Sequence, residues 1–177
     1  MPTFAKKILM KESEDNFKDL ANILKNGDDN LIIEAIESLR NEESFGGAVQ
    51  LLSELYDDTL NGEIKKHVEK FFNDIKSDSL RKEIAEVIKQ PLKPGTLKMV
   101  VSSCWQSGLD FSDFPEDFAE LFVKSDYETA LECMTVIEEM SAKLNTEQRK
   151  KISIIIGKTE NKNTISLANE LLDTLKE

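Results

Sequence analysis

The chain has 177 residues with 34 acids against 23 bases, a net charge of −11. Carboxylates without bases repel phosphate, whose neutralisation supplies most general nucleic-acid affinity, so DNA or RNA binding is disfavoured. The start lacks the apolar stretch and small-residue cleavage site of a secretory signal, and no window has the apolar length of a membrane span; the expected location is the cytoplasm.

A leading helix is predicted from about residue 14 to Lys25, with Phe17, Leu20, Ala21 and Leu24 on one stripe and Asn26-Gly27 ending it. The polar run Lys11–Asn16 argues weakly for a break between this helix and Thr3–Met10. Five helical segments then open at Asp29, Asn61, Pro94, Asp126 and Lys162, a recurrence of roughly 33 residues. The first runs from Asn30 to Arg40, with Leu31, Ile32, Ala35, Ile36 and Leu39 at helical spacing. A shorter partner follows from about Ser44 to Tyr56; Gly46-Gly47 near its start costs helix propensity and suits the close approach of another helix. The second pair is Gly62–Ile75 and Asp78–Lys89, closed by Pro91 and Pro94-Gly95.

Leu97–Gln106 is the third first-helix. It is joined by the long connection Ser107–Phe114 to Pro115–Lys124, where Asp113 and Pro115 make a helix start. Ser125-Asp126-Tyr127-Glu128 fits a capping box before a helix reaching about Ala142. Asn145-Thr146-Glu147-Gln148 fits another, before a helix ending near Gly157. The last helix spans Asn163–Lys176, where Leu167 and Leu171 make either a packed edge, the favoured reading, or a weak self-association surface on a monomer. The expected fold is all-α: one domain, with capping helices at 1–27 and 161–177 around hairpins at 28–160.

Asn30-Leu31-Ile32-Ile33-Glu34-Ala35-Ile36-Glu37-Ser38-Leu39 and Glu132-Cys133-Met134-Thr135-Val136-Ile137-Glu138 resemble the short bacterial type of HEAT-like repeat, of the armadillo-type class. The proline within the first helix of longer units and their repeated Asp/Arg pair are missing here. The resemblance implies a right-handed α-α superhelix of about four hairpins, second helices lining an inner face, and a protein-binding scaffold as the usual role. Function in such frames belongs to the surface grafted on them.

Signs of catalysis are few. His67 is the single histidine, read as a solvent-facing helix residue, and no phosphate loop, dinucleotide or nucleophile-elbow motif occurs. Cys104 and Cys133 fall at apolar positions and read as buried thiols in a reducing compartment. No catalytic residue, cofactor or metal is expected.

Charge and aromatic content gather in one place. Residues 110–139 hold ten acids and one base, Lys124, while Cys104–Phe122 carries the only tryptophan and four phenylalanines. Rings rimmed by carboxylates suit a basic–hydrophobic peptide. The candidate contact set is Trp105, Asp110, Phe111, Asp113, Phe114 and Asp117; the competing reading makes the rings a plug for an irregular turn. Arg149-Lys150-Lys151 opens a helix, where positive charge needs an acidic neighbour, and the 110–139 segment is the expected one. The leading function is a non-enzymatic protein- or peptide-binding scaffold. The rivals are a solenoid enzyme resembling certain DNA glycosylases, opposed by the charge, and a structural subunit of a larger assembly.

Overall fold

A computed structural model describes residues 4–41 and 46–176, with side chains from 15 to 40 and from 46 to 176. All regular structure among these residues is helical: α1 Phe4–Asn26, α2 Asp29–Asn41, α3 Ala48–Asp58, α4 Gly62–Asp74, α5 Arg81–Val87, α6 Pro94–Gln106, α7 Pro115–Lys124, α8 Tyr127–Ser141, α9 Thr146–Ile156 and α10 Ile165–Thr174. A single 3-10 turn, Asp78–Leu80, leads into α5. No helix among the described residues is long and apolar enough to cross a membrane.

Helix starts follow local chemistry. Asn61 accepts from the Glu63 and Ile64 N–H groups and opens α4. Asn145 and Gln148 exchange backbone bonds at 2.9 and 3.0 Å, the reciprocal cap expected for α9. The box expected at Ser125 is not formed. Asp126 is the cap, its carboxylate accepting from Thr129 N–H at 2.9 Å, and the buried Ser125 hydroxyl has no hydrogen-bond partner.

Other boundaries moved as well. α1 runs unbroken through residues 11–16, because the polar stretch has no helix breaker in it. Gly46-Gly47 precedes α3 instead of sitting inside it, and Ser44 lies outside the described residues. The expected close approach occurs at Gly47: its φ is 97°, and a Cβ there would run into the Phe17 ring of α1. The helix expected over 78–89 is divided, leaving α5 with seven residues.

Packing skips one element at a time. α2, α4, α6, α8 and α10 form one row in chain order, each against the next. Beside it, α1 packs on α3 and α3 on α5, while α7 packs on α9; α5 and α7 do not pack along their lengths. The buried residues form one core, running from Leu20 to Leu175. Phe71 and Phe72 meet edge to face in it at 5.5 Å. Leu167 and Leu171 are buried in this core, so α10 closes it as a packed edge.

Polar bridges between helices repeat a spacing. Asn61–Asp29 spans 32 residues, His67–Glu37 30, Gln50–Glu83 33, Lys98–Glu128 30 and Lys93–Asp57 36. Three join two side chains, and in the other two the Gln50 and Lys93 backbone N–H groups donate to the Glu83 and Asp57 carboxylates.

Candidate functional site

The connection between α6 and α7 turns at Gly108, φ 71°, and then folds back on its own polar atoms. Asp110 Oδ1 accepts from Ser112 N–H at 3.0 Å, and Phe114 N–H donates to the Phe111 carbonyl at 2.9 Å. Basic side chains from elsewhere take what remains. Lys76 Nζ donates to the Ser107 carbonyl at 2.6 Å, Arg81 donates to the Asp110 carbonyl, and Lys143 pairs with the Asp110 carboxylate at 2.9 Å. The Ser112 N–H and Lys143 hold the Asp110 carboxyl at about 2, below its ordinary 3.8.

The six candidate residues do not converge on one surface. Phe111 is 2% exposed and meets Phe118 edge to face at 5.6 Å, so this ring packs in the core and presents almost no surface to a partner. Phe114 is half-buried against the core, just before Pro115. Asp113 and Asp117 face the α5 side, pairing with Arg81 at 3.3 Å and Lys89 at 3.1 Å. Trp105 lies on the other row, 38% exposed, its indole N–H donating to Glu132 on α8 at 2.8 Å.

Trp105 lines one hollow, and its partner Glu132 lines another. A cleft of about 70 Å³ lies between Trp105, Asp110, Phe111 and α8, room for only about two waters. Glu132, but not Trp105, lines a groove of about 390 Å³ between α4 and α6, with Glu69, Lys98, Met99, Ser102 and Gln106. Tyr56 closes the groove from α3, its hydroxyl donating to Glu69 at 2.7 Å. No motif in the sequence marked this groove. Its residues come from four helices, and their common feature is spacing along the α6 face.

The acid-rich segment is largely answered from within the chain. Asp110, Asp113, Glu116, Asp117, Glu120 and Glu128 pair with Lys143, Arg81, Lys151, Lys89, Lys124 and Lys98. Glu132 is taken by Trp105 and Asp126 by its cap. Lys151 meets Glu116 at 3.5 Å, whereas Arg149 donates to the Ser141 and Leu144 carbonyls and so caps the end of α8. Glu138 faces Glu170 across α8 and α10; burial, then that like charge, pushes its carboxyl up.

His67 is not solvent-facing: its side chain is 21% exposed and Nδ1 lies 2.6 Å from Glu37. That contact and Arg40 hold the Glu37 carboxyl down. Cys104 and Cys133 are buried, which pushes both thiols up and away from nucleophilic thiolate. No group of three or more metal-ligating side chains is assembled among the described residues. No protein-family model, no curated protein and no solved structure matches the chain.

Proposed function

We propose that the chain is a non-enzymatic scaffold of the HEAT-like repeat type, binding a protein or peptide in the groove between α4 and α6. Packing of most helices on the second element along, with α5 and α7 the exception, and polar bridges 30 to 36 residues long support a right-handed superhelix with end helices at 1–27 and 161–177. In this reading the scaffold is a cytoplasmic monomer, with its two thiols reduced.

One observation carries the binding role. The single tryptophan is a large ring left 38% exposed, and its indole is hydrogen-bonded to Glu132, which lines a groove of about 390 Å³. Exposed aromatics beside a concavity are the residues that anchor partners, because they bury much area at little entropic cost. The Glu132 hydrogen bond fixes the indole and lowers that cost further.

The test uses Trp105 as reporter. Affinity capture from the native cell on wild-type and Trp105→Ala baits should yield a partner held by the first and lost by the second. Adding that purified partner to the wild-type chain should shift the indole emission. A partner held equally by both baits, or silent in fluorescence, overturns the assignment of the groove.

A further inference from the structure

α5 ends at Val87, and the backbone turns through Ile88–Gln90 into Pro91. Clefts open on both sides of that turn, and Gln90 lines each of them. The first, about 270 Å³, has Glu54, Asp57 and Asp58 on its α3 wall, with Val87, Pro91 and Leu92 opposite. The second, about 320 Å³, lies over Ile88, Leu97 and Leu121, where α5 and α7 part.

The two differ in charge. In the second cleft every charged group has an opposite at hand, Lys89 with Asp117 at 3.1 Å and Lys124 with Glu120 at 3.1 Å. Its charges therefore select no charged ligand, and Ile88, Leu97 and Leu121 supply its apolar lining. In the first, three carboxylates and no basic residue form the lining. Asp57 is committed to the fold, accepting from the Thr96 hydroxyl at 2.6 Å and Lys93 N–H at 2.8 Å. Asp58 remains 86% exposed, and Glu54 takes a single bond, from the Gln50 amide. The Lys93 ammonium, coming from beyond the lining, rests 3.6 Å from Asp57 and 3.7 Å from Asp58, so a cation already sits beside this pair. One ammonium leaves the wall in negative excess.

We infer that an extended segment of a partner protein crosses Gln90 here, with an arginine or lysine against Glu54 and Asp58 and an apolar side chain over Leu97 and Leu121. Charge complementarity selects the first residue, and Leu97 and Leu121, set among charges already paired with one another in the adjoining cleft, select the second. This surface lies between α3, α5 and α7, away from the α4–α6 groove, so it does not depend on the function proposed above.

The probe is a blocked peptide of two arginines, a serine and two leucines, titrated into the isotope-labelled full chain by NMR. Saturable shifts are expected at Glu54, Asp58, Gln90 and Leu121. A twin with glutamates for the arginines, and another with serines for the leucines, should each bind about tenfold more weakly or worse. Glu54→Lys with Asp58→Lys, both at exposed positions, should retain the helical circular dichroism and reverse the preference toward the glutamate twin. Shifts confined to the α4–α6 groove, equal affinity for the charge twins, or no saturation at millimolar peptide would each overturn the inference.

Discussion

α7 buries Phe118, Ala119 and Phe122 without residue and packs along both α8 and α9. α5, the corresponding second helix of the preceding predicted unit, has seven residues, buries Ile84, Ala85 and Val87, and packs chiefly on α3. The connection before α7 is long, yet it supplies the Phe111 ring to Phe118, and its carbonyls are bonded by Lys76 and Arg81. The connection after α5 supplies Pro91 and Leu92 and leaves clefts beside them. Ring volume and satisfied backbone, rather than loop length, decide which second helix is firmly seated.

The largest expected effect tests that ranking directly. Phe118→Ala should cost about 3–5 kcal/mol in a urea titration, since a fully enclosed ring leaves a cavity that Phe111 cannot fill. Ile84→Ala on α5 should cost about 2 kcal/mol, the low end for such a change, because α5 is short and its Val87 already borders an open cleft, so the helix relaxes more easily. Amides of α5 should also exchange with deuterium well before those of α7. Equal losses at the two positions, or slower exchange in α5, would break the comparison.

Next in size is the junction on which α5 depends. Gly47 has φ 97° and abuts the Phe17 ring, so Gly47→Ala should cost about 2 kcal/mol. Glu83 of α5 reaches the same place, its carboxylate accepting from Gly47 N–H and Gln50 N–H at 3.1 Å each. It serves α3 as an N-cap supplied from another helix. Glu83→Ala should lower the unfolding free energy by about 1 kcal/mol, the usual worth of a lost cap. The α5 amides should then exchange faster while those of α7 keep their rates.

These contacts also show what could be read in advance. Caps made by a residue on its own helix, as at Asn145 with Gln148, were legible because donor and acceptor lie within four residues. At Ser125 and Asp126 two good caps stand side by side, and spacing could not choose between them; the backbone put the carboxylate over Thr129. Phe111 sits at a spacing that suits both core and surface, so its burial was decided by Phe118 from another helix. The end of α5 was hidden because Ile88 continues the apolar stripe past Val87. The contact between Lys151 and Glu116 was expected from the charge at the start of α9, whereas pairing of the 110–139 acids with Arg81, Lys89 and Lys98 was hidden because those bases come from earlier elements.

The smallest effect concerns the connection that seats α7. Asp110 is held at about 2 by the Ser112 N–H and then Lys143, against 3.8 ordinarily. A carboxyl whose folded value is depressed binds fewer protons folded than unfolded, so its stabilisation is complete above about 3.8 and drains away as pH falls toward 2. Asp110→Asn keeps an acceptor for Ser112 N–H but gives up the charge facing Lys143. The stability difference between wild type and variant should therefore be widest at neutral pH, close progressively between pH 4 and pH 2, and shrink in high salt because Lys143 is exposed. A difference that ignores both pH and salt would mean the turn is kept by its backbone bonds alone. The firm seating of α7 would then rest on Phe111 and Phe118 without help from the charges around them.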